Sequence, residues 1–285
     1  MELREYKNGL LIKNAMDFEP EHIFECGQCF RWNKYENGYI GVVSGRVAFV
    51  YKKDCDVYIE GGKKEDEDFW RKYFDLDRDY GKIKERLRED EVLKEAVEHG
   101  YGIRLLKQEP FETLISFIIS ANNRIPMIKK AVDNISKRFG KKIIFKDMEF
   151  YSFPSIEELK KASIDELEEC GTGFRAVYIY EAVKRIYEEN ISLDEIMTLD
   201  TDAAQEKLLQ FKGVGPKVAD CVLLFSMQKY DAFPVDVWVK RIMQRFYLAP
   251  DVSLKRIREF GRQKFGDLAG FAQQYLFYYA REKRV

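Results

Sequence analysis

The sequence predicts an α+β protein, an N-terminal antiparallel β-sheet domain followed by a larger all-α region. Up to about residue 62, β-branched and aromatic side chains alternate with polar ones, the period-two pattern of half-buried strands. From about residue 66 onward apolar residues recur at three- and four-residue intervals, the period of helices. The 285 residues suffice for one large or two ordinary domains with a real core. A division near residue 105 gives a β-rich N-terminal domain (1–105, with helices after about 66) and an all-α region (106–285).

The strands are expected within "CFRWNKYENGYIGVVSGRVAFVYKKDCDVYIE", where Asn37-Gly38 and Ser44-Gly45 are hairpin signals and an antiparallel meander is the natural arrangement. "CGQC", residues 26–29, has the spacing of a redox pair or half a zinc site. No second such pair exists and His22 and His99 are the only histidines, so a four-ligand zinc site is hard to assemble. In this strand-rich context two ordinary thiols are expected. The five cysteines, odd in number, form no disulfide framework and suit a reducing compartment.

The acidic run "ERLREDEVLKEAVEH" and the basic runs "LKRIREFGRQK" and "REKR" read as solvated helix faces. In "PFETLISFIISANN", Phe111, Leu114, Ile115, Ile118 and Ile119 share one wide apolar helix face. "SIEELKKAS" and "SIDELEEC" each open with a serine followed three residues later by Glu, the capping-box pattern. A helix over 202–211 stops at Gly213 and Gly215, and a second begins at Pro216, a residue favoured in a first turn. That second helix is expected to run to about Tyr230, making a hairpin over about 202–230.

A glycine turn before a helix leaves backbone N–H groups exposed at the positive end of the helix dipole, a site for an anion such as a nucleic-acid phosphate. The G-x4-G-K-[ST] spacing of a nucleotide P-loop is absent. Lys217 sits in the first turn, where the dipole disfavours a cation and so favours the neutral amine that a nucleophile needs. Asp236, after Pro-Val, is placed to cap the following helix and, one helix and one turn beyond Lys217, to reach the same cleft.

Helix, G-V-G-P-Lys, apolar helix, then P-V-D together resemble the helix-hairpin-helix DNA glycosylases and carry the lysine of their bifunctional members. "GQCFRW", "GIRLLKQEPFETLISFIISANN", "GTGFRAVYIYEAVKRI", "KVADCVLLF" and "GFAQQYLF" are similar to segments of 8-oxoguanine DNA glycosylases, in the same order, from about residue 20 to 280. The resemblance implies a DNA cleft between helical subdomains, double-stranded DNA containing 8-oxoguanine as partner, and a flipped-out nucleotide. It makes Lys217 the Schiff-base nucleophile and Asp236 the group that stabilises positive charge on the sugar. Gly27 would present its carbonyl to N7, Cys221 and Phe277 would sandwich the base, and Gln273 would meet its Watson–Crick edge. The adjacent Gln274 is the rival for that last role, but the match favours Gln273.

Asn122, Phe174 and Arg175 fall where the family fills the emptied stack and contacts the orphaned base. Gly213 and Gly215 belong to the DNA-binding hairpin. Three departures stand out. Met127 replaces a second arginine against the opposite cytosine, Phe174 replaces a tyrosine wedge, and Trp238 replaces a phosphate-contacting histidine. The first two imply a relaxed preference for the base opposite the lesion.

With Cys221 as the last cysteine, the four-cysteine iron–sulfur loop of some superfamily members is excluded. No cofactor is required, no metal ligands are assigned, and backbone carbonyls of the hairpin could hold a structural cation. Net charge is −1, which argues against a broad polyanion-coating surface but not against a local groove. No apolar run approaches the ~18 residues of a membrane span, and the N-terminus lacks a signal-peptide core. The protein is therefore expected to be intracellular and cytoplasmic, associated with the nucleoid if prokaryotic, and to act as a monomer. The alternatives are a non-catalytic helix-hairpin-helix DNA-binding module, or a glycosylase of the superfamily acting on another oxidised base.

Overall fold

A computed structural model describes all 285 residues. The chain opens with strands β1 (Glu2–Tyr6) and β2 (Gly9–Lys13), a short helix α1 (Pro20–Phe24), and strands β3 (Trp32–Tyr35), β4 (Gly38–Val43), β5 (Arg46–Lys53) and β6 (Asp56–Glu60). They form one antiparallel six-stranded sheet in the order β1-β2-β6-β5-β4-β3. The expected meander holds from β3 to β6, and the β1–β2 hairpin joins through β2 at the β6 edge. Tyr35 pairs with Gly38, so the first hairpin loop is Glu36–Asn37, one residue earlier than Asn37-Gly38. The glycine answers a packing demand instead. A Cβ at Gly38 would lie 2.3 Å from the Val50 carbonyl oxygen of β5, closer than any side chain allows. At the second turn Ser44 and Gly45 both take positive φ, +47° and +76°, as a two-residue hairpin requires.

One face of the sheet packs on α2 (Glu67–Tyr73), where Trp32 stacks on Phe24 with centroids 4.1 Å apart and donates to the Tyr73 hydroxyl at 2.8 Å. Helices α3 (Tyr80–Leu87) and α4 (Glu91–His99) follow. Their starts are fixed by Asp79 and Asp90, whose carboxylates accept from first-turn N–H groups. The buried Arg104 then links the two halves, donating to the Phe74 carbonyl at 2.8 Å with its guanidinium 4.0 Å over the Tyr80 ring.

Helix α5 (Pro110–Ser120) runs through the centre of the second core. Leu114, Ile115, Ile118 and Ile119 are fully buried, each worth ~1.5–3 kcal/mol of transfer free energy. After α6 (Ile125–Phe139) comes a hairpin, β7 (Lys142–Phe145) and β8 (Met148–Tyr151), the one strand pair in the otherwise helical region. Ile143 and Phe145 turn inward while Ile144 between them is exposed, Lys146 and Asp147 supply positive φ at the turn, and Ile143, Phe145, Met148 and Phe150 cover Ile40, Val42, Val47 and Phe49 on the far face of the first sheet.

Helices α7 (Ile156–Leu159) and α8 (Ile164–Leu167) are single turns, and both carry the expected reciprocal capping boxes, Ser155 with Glu158 and Ser163 with Glu166. A π-helical stretch at Glu168–Thr172 leads to α9 (Arg175–Glu188), α10 (Leu193–Thr198), α11 (Thr201–Leu209), α12 (Pro216–Phe225), α13 (Val237–Phe246), α14 (Leu254–Phe265) and α15 (Ala269–Lys283). No helix is long and apolar enough to cross a membrane.

Candidate active site

The hairpin of α11 and α12 forms as expected, with shorter helices. Asp200 caps α11, and the chain reverses through Gly213 at φ +82°. A Cβ there would also meet the Tyr178 ring at 2.6 Å, so glycine is required on both counts. Gly215 stands at the N-cap of α12 with no side-chain cap and no atom within 4 Å of where a Cβ would lie. The first-turn N–H groups of α12 therefore lack a side-chain cap. Helix α12 stops at Phe225 rather than Tyr230, because Ser226 leaves helical geometry and Gln228 takes φ +58°.

Lys217 is half-buried in the first turn of α12. Its Nζ donates to Ser120 Oγ at 3.3 Å and lies 5.1 Å from the Phe117 ring centroid. The Ser120 hydroxyl donates to the Phe117 carbonyl at 2.7 Å, which leaves its lone pairs for the amine. No carboxylate lies within ion-pair distance of Lys217. Asp236 caps α13, accepting from Trp238 N at 3.0 Å and Val239 N at 2.8 Å through Oδ1. Burial raises the Asp236 pKa above the ordinary carboxylate value, against the opposing pull of those N–H groups and of Lys217. Cys221, one turn beyond Lys217, is buried and its thiol is pushed up to about 12 by burial.

These groups border one cavity of about 440 Å³, which Gly27, Gln273, Phe277, Arg281 and Trp238 also line; that volume suits a small-molecule-sized ligand. Gln273, Phe277 and Arg281 follow each other at four-residue intervals along one face of α15. The two neighbouring glutamines are told apart by their partners. Gln274 donates to the Cys26 carbonyl, whereas Gln273 is 4% exposed and its Oε1 has no hydrogen-bond partner. Across the cavity, the turn after α1 holds Gly27 at φ +76°, with Phe277 Cε1 2.9 Å from where a Cβ would be. Around it, the Glu25 carbonyl accepts from Arg281, that of Cys26 from Gln274, and that of Gln28 from Gln108 at 2.7 Å. The Gly27 carbonyl has no partner.

The cysteine pair lies on this turn, not in a strand. Both thiols are free and buried, and burial raises Cys26 to about 11 and Cys29 well above its ordinary value, so neither is the reactive thiolate that redox exchange needs.

Asn122, with φ +51°, Met127 (48% exposed) and Phe174 (57% exposed) stand on the surface and do not line the cavity, which is bordered instead by Asn123, Arg124, Ile125 and Pro126 between Asn122 and Met127. Arg175 is turned inward. Its guanidinium donates to the carbonyls of Ala121 (2.8 Å), Asn122 (2.9 Å) and Thr172 (3.2 Å), which fixes the Asn122 loop beside Phe174. Trp238 lies at the cavity wall with the Arg241 guanidinium 4.9 Å over its ring. Sequence reading missed Ser120, Phe117, Gln108 and Arg281. Only Arg281 left a signal, its position four residues after Phe277. No cluster of three or more His, Cys, Asp or Glu side chains suited to a metal is present.

Residues 10–114 match the family described as 8-oxoguanine DNA glycosylase, N-terminal domain, and residues 115–266 match the HhH-GPD superfamily base excision DNA repair proteins. The chain is 53% identical to the 8-oxoguanine glycosylase/lyase of Clostridium acetobutylicum in complex with double-stranded DNA containing cytosine opposite 8-oxoguanine. That match covers 100% of this chain and 99% of the other, with a TM-score of 0.98. An N-glycosylase/DNA lyase of Saccharomyces cerevisiae is 31% identical over 95% of this chain and 86% of its own length. One from Arabidopsis thaliana is 32% identical over 89% and 75%.

Proposed function

This chain belongs to the HhH-GPD superfamily of base excision DNA repair proteins and carries the 8-oxoguanine DNA glycosylase N-terminal domain, and from that premise we propose that it excises 8-oxoguanine from double-stranded DNA and nicks the strand. Unperturbed guanine N7 is a hydrogen-bond acceptor, and the 8-oxo form carries a proton there. Gly27, a residue of the cavity wall whose carbonyl has no hydrogen-bond partner, carries the reading, because a free acceptor turned to the base welcomes the lesion and repels the normal base. A hydrogen bond gained against a buried acceptor left unmet separates the two by ~1–3 kcal/mol. The orphaned Oε1 of Gln273 is a second acceptor, suited to the N–H donors of a guanine Watson–Crick edge.

The nucleotide is turned out of the duplex into the cavity, since the glycosidic bond is unreachable inside the stack. Phe277 and Cys221 hold the base between them. Lys217, as a neutral amine, attacks C1′ while the base departs with the proton the amine sheds, and the sugar ring then opens at O4′ to give the Schiff base, which acidifies the C2′ proton. β-Elimination then breaks the strand on the 3′ side. The Asp236 carboxylate, fixed by two backbone donors, stabilises positive charge on the sugar. Ser120 and Phe117 hold the amine in position. These steps use side chains of this protein alone. The bare N-terminus of α12 and the Gly213–Gly215 turn hold a DNA phosphate, while Asn122 and Phe174 occupy the emptied stack. The DNA substrate puts the protein on the chromosome.

Duplex oligonucleotides carrying 8-oxoguanine, thymine glycol, 3-methyladenine or undamaged guanine test the proposal. Excision and nicking of the 8-oxoguanine strand are expected, with the other strands intact. Preferred cleavage at an oxidised pyrimidine, or binding without cleavage, would overturn it.

A further inference from the structure

We infer that Gln274, Arg281 and Gln108 are positioning residues that aim the Gly27 carbonyl and so set discrimination between 8-oxoguanine and guanine; this rests on the base-excision reading above. A carbonyl can report the N7 proton only if its direction is fixed. A loose turn could rotate the Gly27 peptide away from a normal base and accept it. Glycine makes that rotation easy, and Gly27 already sits at φ +76°.

The structure removes this freedom from both sides. The preceding carbonyl, Cys26, is held by Gln274, 1% exposed on α15. The following one, Gln28, is held by Gln108 at 2.7 Å from the segment before α5. One residue further back, Glu25 is held by Arg281. The Gln28 side chain, fully buried, completes the brace. Its Nε2 donates to the Ile23 and Arg104 carbonyls at 3.0 and 2.8 Å, and its Oε1 accepts from Leu106 N at 2.9 Å. Two separate segments, α15 and the residues before α5, thus hold the carbonyls on either side of Gly27 and leave its own free. Arg281 couples this turn to base stacking as well, since its guanidinium lies 5.4 Å over the Phe277 ring.

Bracing that served stability alone would slow every step equally when removed. An aiming role predicts a selective loss, because nicking at a preformed abasic site involves no base. Gln108→Met, Gln274→Met and Arg281→Met delete the donors at nearly constant length, and each is assayed for single-turnover 8-oxoguanine excision, abasic nicking and thermal midpoint. Gln108→Met, outside the cavity, is expected to retain wild-type abasic nicking while excision falls about tenfold. For Gln274→Met and Arg281→Met the ratio of excision to nicking falls tenfold or more, and Arg281→Lys, which can still donate to Glu25, recovers most of it. Parallel loss of both activities, or ratios within twofold of wild type in all three variants, would overturn the inference. Wild-type protein that nicks abasic DNA yet leaves 8-oxoguanine in place would overturn the base-excision reading, and this inference with it.

Discussion

Replacing Gly27 by alanine adds one methyl group at the most constrained point of the cavity wall. At φ +76° a non-glycine residue is strained by ~1–2 kcal/mol. The new Cβ would stand 2.9 Å from Phe277 Cε1 and 3.2 Å from Cζ. To reach the ~3.5–4.0 Å of ordinary carbon contact, the ring or the turn must move by roughly half an ångström. Phe277 lines the cavity, so a ring that yields reshapes the slot for the base. If the turn yields instead, the carbonyl loses its aim. Either outcome removes the N7 hydrogen bond, ~1–3 kcal/mol, and some stacking with it. The single-turnover rate of 8-oxoguanine excision should therefore fall about a hundredfold, with abasic nicking within about threefold of wild type. Thermal stability should drop by ~1–2 kcal/mol from the backbone strain. Excision by Gly27→Ala within twofold of wild type would refute the reasoning, for it would mean that neither the ring nor the carbonyl is where the chemistry is decided.

Wild-type protein should excise 8-oxoguanine opposite C, T, G and A at comparable single-turnover rates, and Met127→Arg should raise the preference for C by about tenfold, the worth of one charge-assisted hydrogen bond; a strong C-only preference in the wild type would refute the role given to Met127. Because burial raises the Asp236 pKa and the carboxylate is the active form, the acid limb of the excision profile should lie above the ordinary carboxylate range, with activity falling as pH drops through it. Asp236→Asn should lose that limb along with most of the rate. Glu112 sits beside Arg31 and Glu109 with its pKa raised to about 7 by burial. A carboxyl raised in the folded state costs stability as pH rises from its unfolded value to about 7. Glu112→Gln should therefore stabilise the protein by ~1–3 kcal/mol at pH 8, discounted for its partial exposure, and by little at pH 5, which thermal unfolding at the two pH values would check.

Features set by short-range chemistry were legible in the sequence. The two capping boxes, the Asp236 cap and the Gly213 reversal each depend on residues within a few positions of one another. Features set by long-range contacts were not. Gly38 follows its hairpin loop because β5 passes 2.3 Å from its missing Cβ, which no local signal announces. The β7–β8 hairpin interrupts a helical region because Ile143, Phe145, Met148 and Phe150 find the back of a sheet a hundred residues earlier. In the site, family resemblance brought Lys217, Asp236, Gly27, Cys221, Gln273 and Phe277 to one list, and the fold brings them to one cavity. Choosing Gln273 over Gln274 on physical grounds needed the partners of both, one orphaned and one bonded to Cys26. Arg175 was expected, by resemblance, beside the emptied stack and the orphaned base, yet three backbone carbonyls draw its guanidinium inward.

Borohydride trapping on an 8-oxoguanine duplex, followed by peptide mapping, asks directly whether Lys217 is the nucleophile. A covalent protein–DNA adduct on the peptide containing Lys217, absent in a folded Lys217→Gln variant that still binds the duplex, is the expected result. An undiminished adduct in that variant, or an adduct mapped to another residue, would contradict it.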